Sequence, residues 1–107
     1  VYNFYQASKE SIKTDIHEID INVKSTILNS KIYSYHLKTE KERYGENAPW
    51  KFGFIAERET PTSVLPCEKD AVSVYSMAAI NWQATKEIIT EIESLKQQIA
   101  ELKGANA

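Results

Sequence analysis

The strongest constraint in this 107-residue chain is its last quarter. From 76 to 103 there is neither Gly nor Pro, and Ala, Glu, Lys, Gln, Ile and Leu dominate. These are good or tolerable helix residues, and Gly104 follows where helices often stop. The stretch predicts a rod about 42 Å long at about 1.5 Å per residue. Ile88, Ile92, Leu95, Ile99 and Leu102 step by 4, 3, 4 and 3. That spacing places Ile92 and Ile99 at a, and Ile88, Leu95 and Leu102 at d, of a heptad. Glu87, Glu91, Lys96, Gln97 and Glu101 flank the stripe. So narrow a stripe on so long a helix is not buried by the helix itself. Either it meets a copy of itself or a partner, or the helix lies along its own domain. A run of about two to three heptads does not decide between these by spacing alone.

The 75 residues before the rod must form whatever compact head exists, and that is few for a self-sufficient core. Tyr2-Asn3-Phe4-Tyr5 is aromatic-rich and reads as extended. Residues 22–30 carry Val23, Ile27 and Leu28 on one side, which suits a short helix. Residues 31–38 alternate strictly, with Tyr33, Tyr35 and Leu37 facing one way and Ile32, Ser34 and His36 the other, a strand pattern. Residues 39–48 are charged, contain Gly45 and lead into Pro49, and read as a loop. Trp50, Phe52, Phe54 and Ala56 then alternate with Lys51, Gly53, Ile55 and Glu57. This second strand is expected to pair antiparallel with the first. Thr60-Pro61 suggests an N-cap followed by Pro at the first helical position, with Pro66 limiting that helix to about a turn. Residues 70–75 hold Val72 and Val74 and read as a brief extended piece feeding the rod.

The fold class read from these patterns is α+β. A small head with a short antiparallel β-hairpin and short helices precedes a long C-terminal helix. The divisions are 1–7 before the head, 8–75 for the head, 76–103 for the helix and 104–107 for a frayed tail.

Charge and composition exclude several classes. Thirteen basic residues against fifteen acidic ones give a net charge of −2, poorly suited to phosphate backbones or anionic lipid. Neither nucleic acid nor membrane is expected as a partner, and no apolar run approaches the roughly 18 residues of a membrane span. Cys67 is the one cysteine, so a disulfide could only join two chains. His17 and His36 are far apart and Cys67 has no neighbouring thiol, so no zinc spacing exists. There is no glycine-rich phosphate cradle, and the scattered acids give no pair suited to sugar hydrolysis. No metal or cofactor is expected. Trp50 and Trp82 read most simply as core or interface anchors. The chain opens at Val1 without an initiator Met or a charged-then-apolar leader, as expected of a piece of a longer protein.

One chemical arrangement remains, in Ser8-Lys9-Glu10-Ser11-Ile12-Lys13-Thr14-Asp15-Ile16. A serine hydroxyl is a weak nucleophile until a base removes its proton. Lysine can be that base where desolvation lowers its pKa from about 10.4 toward neutrality, and Ser-Lys pairs are a variant of the Ser-His-Asp logic. A Ser followed five residues later by a Lys is common by chance, and taken alone it reads as a solvated charged turn.

The order of the surrounding strings gives the spacing weight. Ser8…Lys13-Thr14-Asp15-Ile16 is followed by Tyr33-Ser34-Tyr35. Next come Gly53-Phe54-Ile55-Ala56-Glu57-Arg58-Glu59-Thr60-Pro61, then Val74-Tyr75-Ser76-Met77, then the terminal helix. From Ser8 to Lys103 the chain resembles the intramolecular chaperone auto-processing domain at the C-termini of phage tailspikes, tail fibres, endosialidases and neck appendages.

The resemblance implies a homotrimer that assembles three chains and helps an upstream β-rich stalk of the same polypeptide to fold. The domain would then cut itself off, with Ser8 as nucleophile, Lys13 as general base and Ala7–Ser8 as the scissile bond. It implies synthesis in the host cytoplasm within a virion structural precursor, and release on maturation. Two departures are visible. Lys9 stands where the family often has Asp, and Ile55-Ala56-Glu57-Arg58 stands where it often reads Ile-Ala-Gln-Glu. Glu57 and Arg58 are therefore candidates for a supporting role only. Residues 1–7 still precede Ser8. Either the stalk is needed to position the bond, an effect worth roughly 7–11 kcal/mol in favourable cases, or the pair is inactive in this fragment. Ile at a with Leu at d favours two strands, whereas the resemblance implies three. Three is the expectation, because packing in head and stalk overrides a short heptad preference; the helices could also splay to grip the stalk. The alternative is a non-catalytic trimerisation or attachment module of a phage structural protein.

Overall fold

The computed structural model describes residues 6–66, 69 and 71–105. The aromatic opening string 2–5, Cys67 and Asp70 lie outside the described residues. Secondary structure begins with a 3₁₀ turn at Glu10–Ile12. Helix α1 spans Val23–Leu28, strand β1 Tyr33–Tyr35, helix α2 Lys38–Tyr44 and strand β2 Lys51–Gly53. A 3₁₀ turn at Thr62–Val64 then leads to the long helix α3, Val74–Ala105.

The hairpin forms as its alternation predicts, but shorter. β1 and β2 pair antiparallel with Tyr33 opposite Gly53, Ser34 opposite Phe52 and Tyr35 opposite Lys51. Ser34 and Phe52 share the open face, and Phe52 is 72 % exposed. Trp50 is also exposed, its ring 3.9 Å from that of His36. Trp82 projects from α3 into the open as well. Neither tryptophan is a core anchor within this chain.

Residues 39–48 are not the loop their charge suggested. Seven residues from Lys38 to Tyr44 are helical, and Gly45–Asn47 makes a further 3₁₀ turn. Lys, Glu and Arg are strong helix formers, so a polar string without Gly or Pro winds readily. Gly45 ends it at φ 55° and ψ −126°, with its N–H on the Lys41 carbonyl. An L side chain strongly disfavours that conformation, hence glycine there.

Thr60 does not cap a helix. Its hydroxyl donates to the Ile55 and Arg58 carbonyls, at 2.7 and 2.8 Å, and closes the turn between them. Pro61 is the residue before the 3₁₀ turn and keeps an extended backbone. In α1 the cap is Asn22, whose side-chain oxygen accepts the Ser25 N–H at 3.0 Å. Of the three apolar residues expected on one side of α1, only Val23 is buried; Ile27 and Leu28 are exposed.

Helix α3 starts two residues before the expected stretch and passes through Gly104. Its first turn is fixed by Ser73, whose hydroxyl oxygen accepts the Ser76 N–H at 3.1 Å. Thr85 and Thr90 return their hydroxyls to carbonyls four residues back, so they do not compete with the helix. At 32 residues it is about 48 Å long.

The core is small. Val23, Val64, Ile80 and Ala84 are buried together, with Val72 and Met77 packed against them. α1 and the Thr62–Val64 turn therefore sit on the first third of α3. Beside this cluster an apolar groove is lined by Ile27, Ile32, Phe54, Val74 and Met77. The radius of gyration is 20.0 Å, against about 13 Å for a compact chain of this length. The accessible surface is 9499 Å², against roughly 6,000 Å² for a folded monomer of this mass. A single chain leaves much of its apolar surface uncovered.

Candidate active site

The segment 6–22 carries Ser8 and Lys13, and every residue in it is exposed. A local turn brings the two side chains together. The Ile12 N–H reaches the Lys9 carbonyl at 3.3 Å and the Lys13 N–H the Glu10 carbonyl at 3.0 Å. That single turn folds Lys13 back over Ser8. Lys13 Nζ donates to Ser8 Oγ at 2.6 Å and lies 3.3 Å from the Ser8 carbonyl oxygen. A spacing of five residues thus brings the two side chains within contact.

A third group meets this pair. Ser8 Oγ and the Tyr75 hydroxyl are 3.0 Å apart. Tyr75 lies in the first turn of α3. It belongs to the Val74-Tyr75-Ser76-Met77 string that carried part of the resemblance, but no local spacing connects it to a residue 67 positions earlier.

The other candidate residues lie elsewhere. Among the described residues no hydrogen bond or ion pair joins Glu57 or Arg58 to Ser8 or Lys13. Arg58 instead stacks over the Tyr33 ring at 5.5 Å. The Tyr33 hydroxyl donates to the Glu59 carboxylate, which holds the phenol above its usual pKa; its partial desolvation and the negative charge on Glu59 act the same way. Lys9 is exposed, and its side chain makes no hydrogen bond among the described residues. His17 bonds locally to the Asp15 carbonyl, and His36 to that of Pro49. No group of three metal-ligating side chains gathers among the described residues. No helix there is long and apolar enough to cross a membrane.

The helix stripe is uncovered. Ile88, Ile92, Leu95, Ile99 and Leu102 are between 45 % and 65 % exposed. One ion pair, Lys24 to Glu91, ties α1 to the middle of α3. Past that point every described residue of the rod is exposed.

These features define a class before any comparison: a small head with a serine-lysine pair before it and an unpartnered rod behind it. Residues 8–58 match the Peptidase S74 family model, described as the chaperone of endosialidase. Over this segment, just under half of the chain, the sequence is similar to the intramolecular chaperone domains of phage tail proteins. The match begins at Ser8 and ends at Arg58, whereas the resemblance read from the strings ran on to Lys103. No curated protein and no solved structure matches the chain.

Proposed function

We propose that this chain is a C-terminal chaperone domain that trimerises, assists an upstream β-rich stalk to fold, and then releases itself by cutting the Ala7–Ser8 bond. The observation that carries the catalytic part is the 2.6 Å contact between Lys13 Nζ and Ser8 Oγ. In the reaction, the unprotonated Lys13 amine takes the Ser8 hydroxyl proton as Oγ attacks the Ala7 carbonyl carbon. The C–N bond of Ala7–Ser8 breaks, and the proton held by Lys13 passes to the leaving Ser8 nitrogen. An ester between the Ala7 acyl group and Oγ results. Water hydrolyses it to an Ala7 carboxylate and a free Ser8 hydroxyl.

An ammonium cannot accept that proton, so the amine must be kept dry. Within one chain Ser8 and Lys13 are both exposed. The covering surface is assigned to neighbouring chains, which also bury the α3 stripe, Phe52 and Trp82. Assembly thus precedes cutting. Once the clamp has gone, the stalk no longer has a reversible route to unfolding, and its persistence becomes kinetic.

The test is expression with the native upstream stalk. Wild type is expected to give two bands, and Ser8→Ala and Lys13→Ala one uncut band each. Cutting that persists in Ser8→Ala removes the catalytic assignment. A wild-type chain that trimerises and stays whole favours a non-catalytic assembly module.

A further inference from the structure

Segment 6–21 is attached to the rest of the molecule in an unusual way. Among the described residues its one hydrogen bond to any later element is Ser8 Oγ to Tyr75. At its far end the chain enters α1, where Val23 is buried against Ile80 and Ala84. Both ends are therefore held on the same helix, at Tyr75 and at Ile80–Ala84. The scissile bond sits at the Tyr75 end.

The chemistry of the contact has a direction. When Lys13 acts as base, the single Ser8 hydroxyl proton points at Nζ. The phenol O–H is then the donor, and Oγ accepts it through a lone pair. As the proton leaves, negative charge grows on Oγ, and a hydrogen bond to a charged oxygen is the stronger kind. Tyr75 can hold the hydroxyl in line before attack and stabilise it during attack. We propose that Tyr75 is the positioning residue of the cleavage site, its phenol fixing Ser8 Oγ against Lys13 and tying the bond to be cut to the helix through which chains assemble. This rests on the self-cleavage reading above. It adds a coupling: Ser8 is held in line only when the first turn of α3 is formed and docked, so a chain whose helix has not yet assembled cuts slowly.

The test uses the full chain with its upstream stalk. Tyr75→Phe keeps the ring and removes only the hydroxyl. Cleavage is expected to slow about tenfold or more, since a hydrogen bond to a charged group is at stake. Assembly mass and helix content are expected to stay unchanged. On a Ser8→Cys background, where sulfur is a weak acceptor, the same replacement is expected to change the rate less than about twofold. A Tyr75→Phe chain that cuts at the wild-type rate overturns the proposal, as does equal slowing on both backgrounds. If Ser8→Ala is uncut while Tyr75→Phe cuts normally, only the role of Tyr75 fails. If Ser8→Ala still cuts, the underlying reading fails with it.

Discussion

The Tyr75 hydroxyl lies 3.0 Å from Ser8 Oγ across 67 positions of sequence. It joins the proposed nucleophile to the opening turn of the longest helix. Lys13 approaches the same oxygen from five residues away at 2.6 Å. One contact is local and one is long-range, and the two converge on a single atom. That convergence is what the proposed coupling between cleavage and assembly rests on.

The ester step makes a prediction of its own. If Oγ forms a bond to the Ala7 carbonyl carbon, hydroxylamine intercepts the product. Precursor incubated with it should yield an upstream fragment whose Ala7 ends as a hydroxamate, read directly by mass spectrometry. Attack on a neighbour's bond would show instead as a transient species joining two chains. An upstream fragment carrying only a plain carboxylate under saturating hydroxylamine argues for direct attack by water.

The exposed stripe is predicted to be an interface. Ile92→Asp or Leu95→Asp would place an uncompensated charge inside it, and burying such a charge is strongly unfavourable. Light scattering at micromolar concentration should show the assembly falling toward monomer. The head should stay folded, since neither side chain touches the Val23–Val64–Ile80–Ala84 cluster. An unchanged mass would mean that the stripe is not what holds chains together.

The ion pair between Lys24 and Glu91 should make stability depend on alkaline pH. The Glu91 hydrogen bond, and then its charge, raise the Lys24 pKa above its ordinary 10.5. A cation stabilised in the fold contributes below its unfolded pKa, and that contribution is lost as pH rises through the folded value. Glu91→Gln should therefore melt below wild type at pH 8 and low salt, with the gap closing once pH passes 10.5 and the raised value. Because the pair is open to water, added salt should narrow the gap too. A gap that persists in strong alkali would assign the effect to packing.

Much of the fold was legible because its signals are local. The Gly- and Pro-free run made α3 plain, and strict alternation made the hairpin plain. Charge makes the run 39–48 resemble a loop, yet Lys, Glu and Arg favour helix wherever no Gly or Pro interrupts them. Thr-Pro is a helix-start signature, yet the Thr60 hydroxyl meets two nearer carbonyls in the turn at Ile55–Arg58. For the site, Ser8 and Lys13 could be named from spacing and order, since one turn suffices to join them. Glu57 and Arg58 drew notice through the same strings, but the fold turns Arg58 onto Tyr33.

Sequence alone thus determined what short-range geometry governs: the rod with its apolar stripe, the paired strands, and a lysine within reach of a serine. Tertiary structure decided what no local spacing encodes. It placed Tyr75 on Ser8, and chose Val23 over its helix neighbours for the core. It also left the stripe and the aromatic face of the hairpin open. The physical reason is that backbone propensities and local hydrogen bonds act over a turn or two, whereas burial and contacts between distant segments are properties of the whole fold. In this chain much of the apolar surface stays exposed.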